Sequence, residues 1–231
     1  MLDSSHKIFI HGIARHEHAQ RINRPRLIEI LHQLAAEVGV SLSTDDDLVV
    51  AEALEMAARL SLEPLVEDEP LDLTGLDPDT ALRLLDISER SDHFFRLAGA
   101  GELRTAARRF LVQVARRDPF ALRRPSARAL AAGVCFVVIR ANIQLVHRFD
   151  WLGTSSIAQE LGVSPSTVPT RARALLAAAG IDQPAVDPTL PPAARHQMLT
   201  LGDPELLMGR RREVHVERVR FVAARLETSG V

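Results

Sequence analysis

The residues best placed to do chemistry lie between Gly153 and Leu175, where the chain reads GTSSIAQELGVSPSTVPTRARAL. Ile157 and Leu161, one helical turn apart, predict the inner face of a short helix, and Ala158 is small enough to let a second helix cross closely. Gly162 suits a left-handed turn. Ser164 can cap the second helix, Pro165 fits its first position, and Val168, Ala172 and Leu175 form its buried face. The opposite face then presents Ser166, Thr170 and Arg173, with Arg171 at its shoulder. In a helix-turn-helix over residues 153–176, those hydroxyls and guanidinium groups point at base edges and phosphates in the major groove of DNA. Pro169 interrupts the pattern. About one turn into the second helix it would remove a backbone donor and crowd the carbonyl of Pro165, a defect of up to ~3 kcal/mol in a helix interior.

A second candidate feature is charge. The formal net charge of −2 conceals an acidic segment, 1–97, with 9 Lys/Arg against 19 Asp/Glu, and a basic one, 98–176, with 12 Arg against 4 acids. All the cations of the basic segment are arginines, which fork onto phosphate or carboxylate in a way lysine does not. Arg116, Arg117, Arg123, Arg124 and Arg128 cluster before the apolar helix described below, and Arg123 and Arg124 are candidate phosphate contacts. The same asymmetry equally fits docking of the acidic N-terminal part, or an acidic protein partner, onto the basic middle.

Other chemistries find little support. His6, His11, His16 and His18 form the only histidine cluster, but no cysteine or His-x3-His spacing accompanies them, so no metal site is expected. There is no phosphate-binding glycine loop, no Gly-x-Ser-x-Gly elbow and no His-Glu-x-x-His, and the sequence points to no enzyme activity and no cofactor. Cys135 stands alone in an apolar run, where a thiol packs as a small hydrophobe. No signal peptide or membrane span is evident, so the expected location is cytoplasmic.

The element that must position the motif is the stretch Ser126–Val146. From Ala129 to Ile139 it carries eleven uncharged residues, apolar all round a helical wheel, which predicts a central helix enclosed by others. It is too short to span a bilayer, which takes about 20 apolar residues. Upstream, Pro25 to Gly39 reads as a helix with Leu27, Ile30, Leu31 and Leu34 on one face, and a second helix begins after Ser43 or Thr44 and runs to about Leu60. Leu62–Pro78 is an acidic, proline-bearing connector. Two further helices follow, one containing Leu82, Leu85, Phe94, Phe95 and Leu97, the other Leu103, Ala107, Phe110, Leu111 and Val114. Ile8 and Ile10 alternate as in a short strand, and Trp151 is placed to plug the motif onto the bundle. The last segment alternates at Val214 and Val216 but steps helically through Val219, Val222 and Leu226, and a helix is expected. The fold class is therefore mainly α, in three regions: an acidic helical part over 1–77, a bundle ending in the helix-turn-helix over 78–180, and a proline-rich linker with a C-terminal segment over 181–231.

A resemblance joins these features. Pro125 ahead of the apolar helix, Ala131 and Ala132 within it, Asn142 near its end, and Gly162-Val163-Ser164 followed by Ser166-Thr167-Val168 resemble an uncharacterised helical helix-turn-helix family, a domain of unknown function, over roughly residues 106–176. That family is similar in layout to the cyclin-like repeat of transcription factor IIB. The resemblance implies a cyclin-like helical bundle and no assigned reaction. Where Pro169 stands, such sequences usually carry a polar residue. The expected function is DNA binding of the transcription-regulator kind, with duplex DNA as partner; the alternative is a non-enzymatic protein-interaction module in which the helix-turn-helix is only structural.

Overall fold

Short polar side chains set where the helices begin. The structure, a computed structural model, describes residues 24–142, 153–181 and 200–228. Helix α1 spans Arg24–Glu37, and α2, Asp46–Arg59, opens where the Asp45 carboxylate accepts the Asp47 N–H. Asp77 does the same for Thr80 at the start of α3, Pro78–Leu97, with Pro78 in the first position where its missing N–H costs nothing. Helix α4, Gly101–Arg117, ends at Asp118, whose carboxylate takes the N–H groups of Phe120 and Ala121 and opens a 3-10 turn, Pro119–Leu122. Ser126 then accepts the Ala129 N–H at 3.2 Å as α5, Ala127–Asn142, begins. Helices α6, Thr154–Leu161, and α7, Thr167–Ala178, follow, then a second 3-10 turn, Pro204–Leu206, and α8, Gly209–Thr228. No strand occurs among the described residues, and the fold is mainly α, as expected. The strand expected around Ile8, the four N-terminal histidines, Trp151 and most of the proline-rich linker lie outside the described residues.

Helix α5 is the centre of the larger core. Val134, Cys135, Val137 and Val138 are wholly buried, and α3, α4, α6 and α7 all pack on it. The closest approach is to α7. A β-carbon at Gly133 would sit 2.9 Å from the Arg171 β-carbon and 3.0 Å from the Ala172 backbone nitrogen, so the missing side chain lets the two helices touch. Against α5, helix α3 turns Leu84, Ile87, Phe94 and Phe95 inward, the two rings meeting edge to face with centroids 5.6 Å apart. Leu82 and Leu85, expected on that inner face, are instead 67% and 47% exposed, because the buried row runs through Leu84 and Ile87.

The C-terminal segment resolves as helix: Val216, Val219, Val222 and Leu226 return every three or four residues and are buried against α1 and α2. With Leu27, Leu31, Leu34, Val49 and Ala53 they make a second, smaller core. Residues 1–77 and 181–231, separate flanks in the sequence, thus meet in space through α1, α2 and α8.

Three polar clasps fix the start of α8. Glu102 accepts the N–H groups of Leu65 and Gly209, each at 2.9 Å. The Asn142 side chain donates to the carbonyls of Val138 (3.0 Å) and Leu206 (3.2 Å) and accepts the Met208 N–H at 2.7 Å. Buried Glu37 faces Arg211 at 3.2 Å, His215 Nδ1 at 3.1 Å and Arg218 at 3.2 Å. Burial alone would push the Glu37 carboxyl up; Arg218, the His215 hydrogen bond and Arg211 together outweigh it and hold it below its ordinary value.

Candidate nucleic-acid interface

The helix-turn-helix forms, and its grammar holds at most positions. Ile157, Ala158 and Leu161 on α6 and Val168, Ala172 and Leu175 on α7 are buried. Gly162 has φ +63°, the left-handed conformation that ends α6. The start of α7 differs from expectation. It opens at Thr167 rather than Pro165, after a turn in which the Thr167 N–H donates to the Ser164 carbonyl at 3.0 Å. Pro169 explains the delay, since it has no N–H to give the Pro165 carbonyl, and the first regular bond must be accepted one residue later. Pro169 is therefore the third residue of α7, within the first turn, where an N–H has no partner inside the helix. The expected interior defect does not arise. Its side chain is half-buried.

Ser166, Thr170 and Arg173 are exposed, as the wheel predicts. Two of the three are already engaged locally. The Ser166 hydroxyl lies 3.1 Å from that of Ser164, which is also 2.7 Å from the Thr167 hydroxyl, and the Thr170 hydroxyl donates to the Ser166 carbonyl at 2.8 Å. The cap expected from Ser164 is therefore not made: the N-cap position falls on Ser166, which makes no side-chain cap bond, and the Ser164 hydroxyl meets only other hydroxyls. Arg171 is half-buried: its β-carbon lies against Gly133 and its Nε is enclosed without a hydrogen-bond partner. Of the two motif arginines, Arg173 is the one that reaches solvent freely.

The basic segment divides into two sets. Along α4, four arginines meet the acidic connector that precedes α3. Arg104 pairs with Asp68, Arg109 with Glu69, Arg116 with Asp72 at 2.5 Å, and Arg108 with Asp92 at 2.6 Å while it donates to the Glu69 carbonyl. The connector runs in register with the helix, with Glu67 packed over Gly101 at the α4 start. The Asp72 carboxyl is held below its ordinary value, first by hydrogen bonds from Thr74 and then by Arg116. The acidic N-terminal part therefore does dock on the basic middle, through α4.

The other set makes no ion pair among the described residues: Arg117, Arg123, Arg124, Arg128 and Arg173. Arg123 and Arg124, candidates from the sequence, are exposed on the turn ahead of α5. Arg128 and Arg117, read from the sequence as part of the arginine cluster, are brought by the fold to the motif. An Arg128 Nη1 lies 3.6 Å from where a Gly162 β-carbon would be, beside the turn, and the Arg117 guanidinium lies against Gly180 just past the end of α7, where the helix dipole favours a cation. No cluster of three or more metal-ligating side chains occurs among the described residues, and no helix among them is long and apolar enough to cross a membrane. Searches of family models, curated proteins and solved structures find no match to this chain.

Proposed function

We propose that this chain is a non-enzymatic DNA-binding protein of the transcription-regulator kind, acting in the cytoplasm through the α6–α7 helix-turn-helix, and that the bundle α3–α7 is cyclin-like. The observation that carries the reading is the way α7 is mounted. Its apolar side is seated on the central helix at Gly133, while Ser166, Thr170 and Arg173 face outward with Arg128 beside the turn. That is how a docked recognition helix must be held: rigidly from behind, with donors in front. Because the hydroxyls are bonded within the motif and one long donor is fully free, base readout is weak and phosphate contact supplies most of the affinity.

Anisotropy with a labelled random-sequence duplex across a salt series tests this. Binding should be measurable at low salt and weaken steeply as salt rises, and Arg173→Ala with Arg128→Ala should weaken it about tenfold or more, since each charged contact is worth on the order of 1 kcal/mol. Absence of binding at low salt overturns the reading. The alternative, an interaction module in which the motif is structural, draws support from one feature: Leu82 and Leu85, exposed one turn apart on α3.

A further inference from the structure

Phe120 is 69% exposed, and no other aromatic side chain among the described residues is exposed. The turn beneath it is held firmly. The Asp118 carboxylate accepts the N–H groups of Phe120 (3.1 Å) and Ala121 (3.3 Å), and the Arg123 N–H donates to the Phe120 carbonyl at 3.1 Å. Leu122, two residues on, is wholly buried, while Arg83 of α3 binds the Leu122 carbonyl at 3.0 Å and the Pro125 carbonyl as well. The ring is thus presented outward by a rigid base, with the Arg123 guanidinium 4.6 Å from its centroid. In the chain Arg117 precedes Phe120 by three residues and Arg124 follows it by four; the Arg117 guanidinium lies against Gly180, and both arginines are exposed and neither is paired with a carboxylate among the described residues. The Asp77 carboxylate caps α3 by accepting the Thr80 N–H at 3.0 Å and forms no ion pair with Arg123.

An exposed ring in a positive field suits one chemical class above others. An unpaired base offers a flat face to stack on Phe120 and a phosphate for the arginines. Duplex DNA keeps its bases stacked on one another, and an acidic peptide supplies charge without the planar face. We propose that Phe120 with Arg123, flanked by Arg117 and Arg124, is a stacking platform for single-stranded nucleic acid. This does not rest on the helix-turn-helix reading, which concerns duplex DNA.

The test compares the full chain with Phe120→Ala, Phe120→Leu and Phe120→Trp, using labelled oligo-dT of about 15 residues, within the usual footprint of single-strand sites. Because the ring is exposed, thermal stability should stay at the wild-type value in all three, so a change in binding is a change at the site. The Ala and Leu variants should bind oligo-dT about fivefold to tenfold more weakly at equal salt, as loss of one stacked base implies. Phe120→Trp should keep the affinity, with the new indole quenched on binding. Duplex affinity should move less than twofold. If Phe120→Ala or Phe120→Leu binds oligo-dT as tightly as wild type, stacking is refuted; so it is if the chain binds poly-glutamate in a Phe120-dependent way and oligo-dT not at all. Loss of duplex binding alone would overturn the helix-turn-helix reading and leave this one standing.

Discussion

Gly133→Ala sets two effects of known size against each other at the seat of α7. Gly133 lies in the middle of α5, where alanine favours the helix by about 1 kcal/mol over glycine. Taken alone, the substitution would stabilise. The new methyl, however, would sit 2.9 Å from the Arg171 β-carbon and 3.0 Å from the Ala172 nitrogen and the Arg171 carbonyl carbon, all on or next to the α7 backbone. Backbone cannot swing aside as the end of a side chain can, so α7 must move as a body, and overpacking of that kind costs about 1–3 kcal/mol. Contacts along the rest of the α5–α7 seam open as well. The steric term at least offsets the helix gain, with a net loss of up to about 2 kcal/mol, which for a chain of this length lowers Tm by up to roughly 6 °C. Thermal unfolding followed by circular dichroism reads the shift, and duplex affinity should fall with it as the outward face of α7 is displaced. A Gly133→Ala protein with a raised Tm would refute the argument, because propensity would then have outweighed a contact said to be immovable.

Val137→Asp should unfold the protein, since Val137 is wholly buried and an unpaired carboxylate there has nothing to replace its hydration, whereas Arg128→Ala, at an exposed site, should shift Tm little; an unchanged melt for Val137→Asp would show that α5 is not the core. Glu37→Gln should cost roughly 3–5 kcal/mol by leaving the buried Arg211 guanidinium without its counter-charge, measured by urea denaturation. The Glu37 carboxyl is depressed on folding, so its contribution is complete above the unfolded value of 4.5 and is lost as pH falls through the lower folded value. Wild type should therefore lose stability faster than Glu37→Gln on acidification below that pH, and parallel losses would count against the clasp. Pro169→Ser supplies an N–H to the Pro165 carbonyl, so α7 should extend back toward Pro165 and Tm should rise by roughly 2–4 °C, the worth of about one hydrogen bond; an unchanged Tm would mean that Pro169 does not set the start of α7.

Much of this arrangement is legible in the sequence, for a physical reason. Periodicity reports what a segment buries, and the buried faces of α5, α6 and α7 are local properties of Ile157, Leu161, Val168 and their neighbours. It fails where two phases compete or where the partner is distant. Leu82 and Leu85 obey helical spacing as well as Leu84 and Ile87 do, and the choice between them is made by α5, not by α3. The pairing of α8 with α1 and α2 has no local sign, because Glu37 and His215 are 178 residues apart and only the fold makes them neighbours. Pro169 was misjudged by two residues of helix start, a matter settled by which carbonyl first finds a donor.

Charge count is the least direct of these signals, and it leads to a quantitative expectation. Twelve arginines lie in residues 98–176, and if all faced phosphate, the slope of log binding constant against log salt would approach about −11, at roughly −0.9 per contact. The fold removes several. Arg104, Arg108, Arg109 and Arg116 are paired with acids of the same chain, and Arg140, half-buried, lies over Phe136. Arg148 falls outside the described residues. Among the described residues six remain, namely Arg117, Arg123, Arg124, Arg128, Arg171 and Arg173, and they set a slope of about −5, to which Arg148 would add at most about −1. Over a fourfold rise in salt that difference is large, about a thousandfold loss of affinity against more than a millionfold. A duplex titration at four or five salt concentrations distinguishes them. A measured slope well beyond −5 would mean that the acidic connector leaves α4 when DNA binds and that the pairs seen in the fold are displaced by phosphate. With Asp68→Asn and Asp72→Asn together, the slope should steepen by up to about 2, because Arg104 and Arg116 then lose their carboxylates and become available to DNA, while Arg109 keeps Glu69 and Glu205.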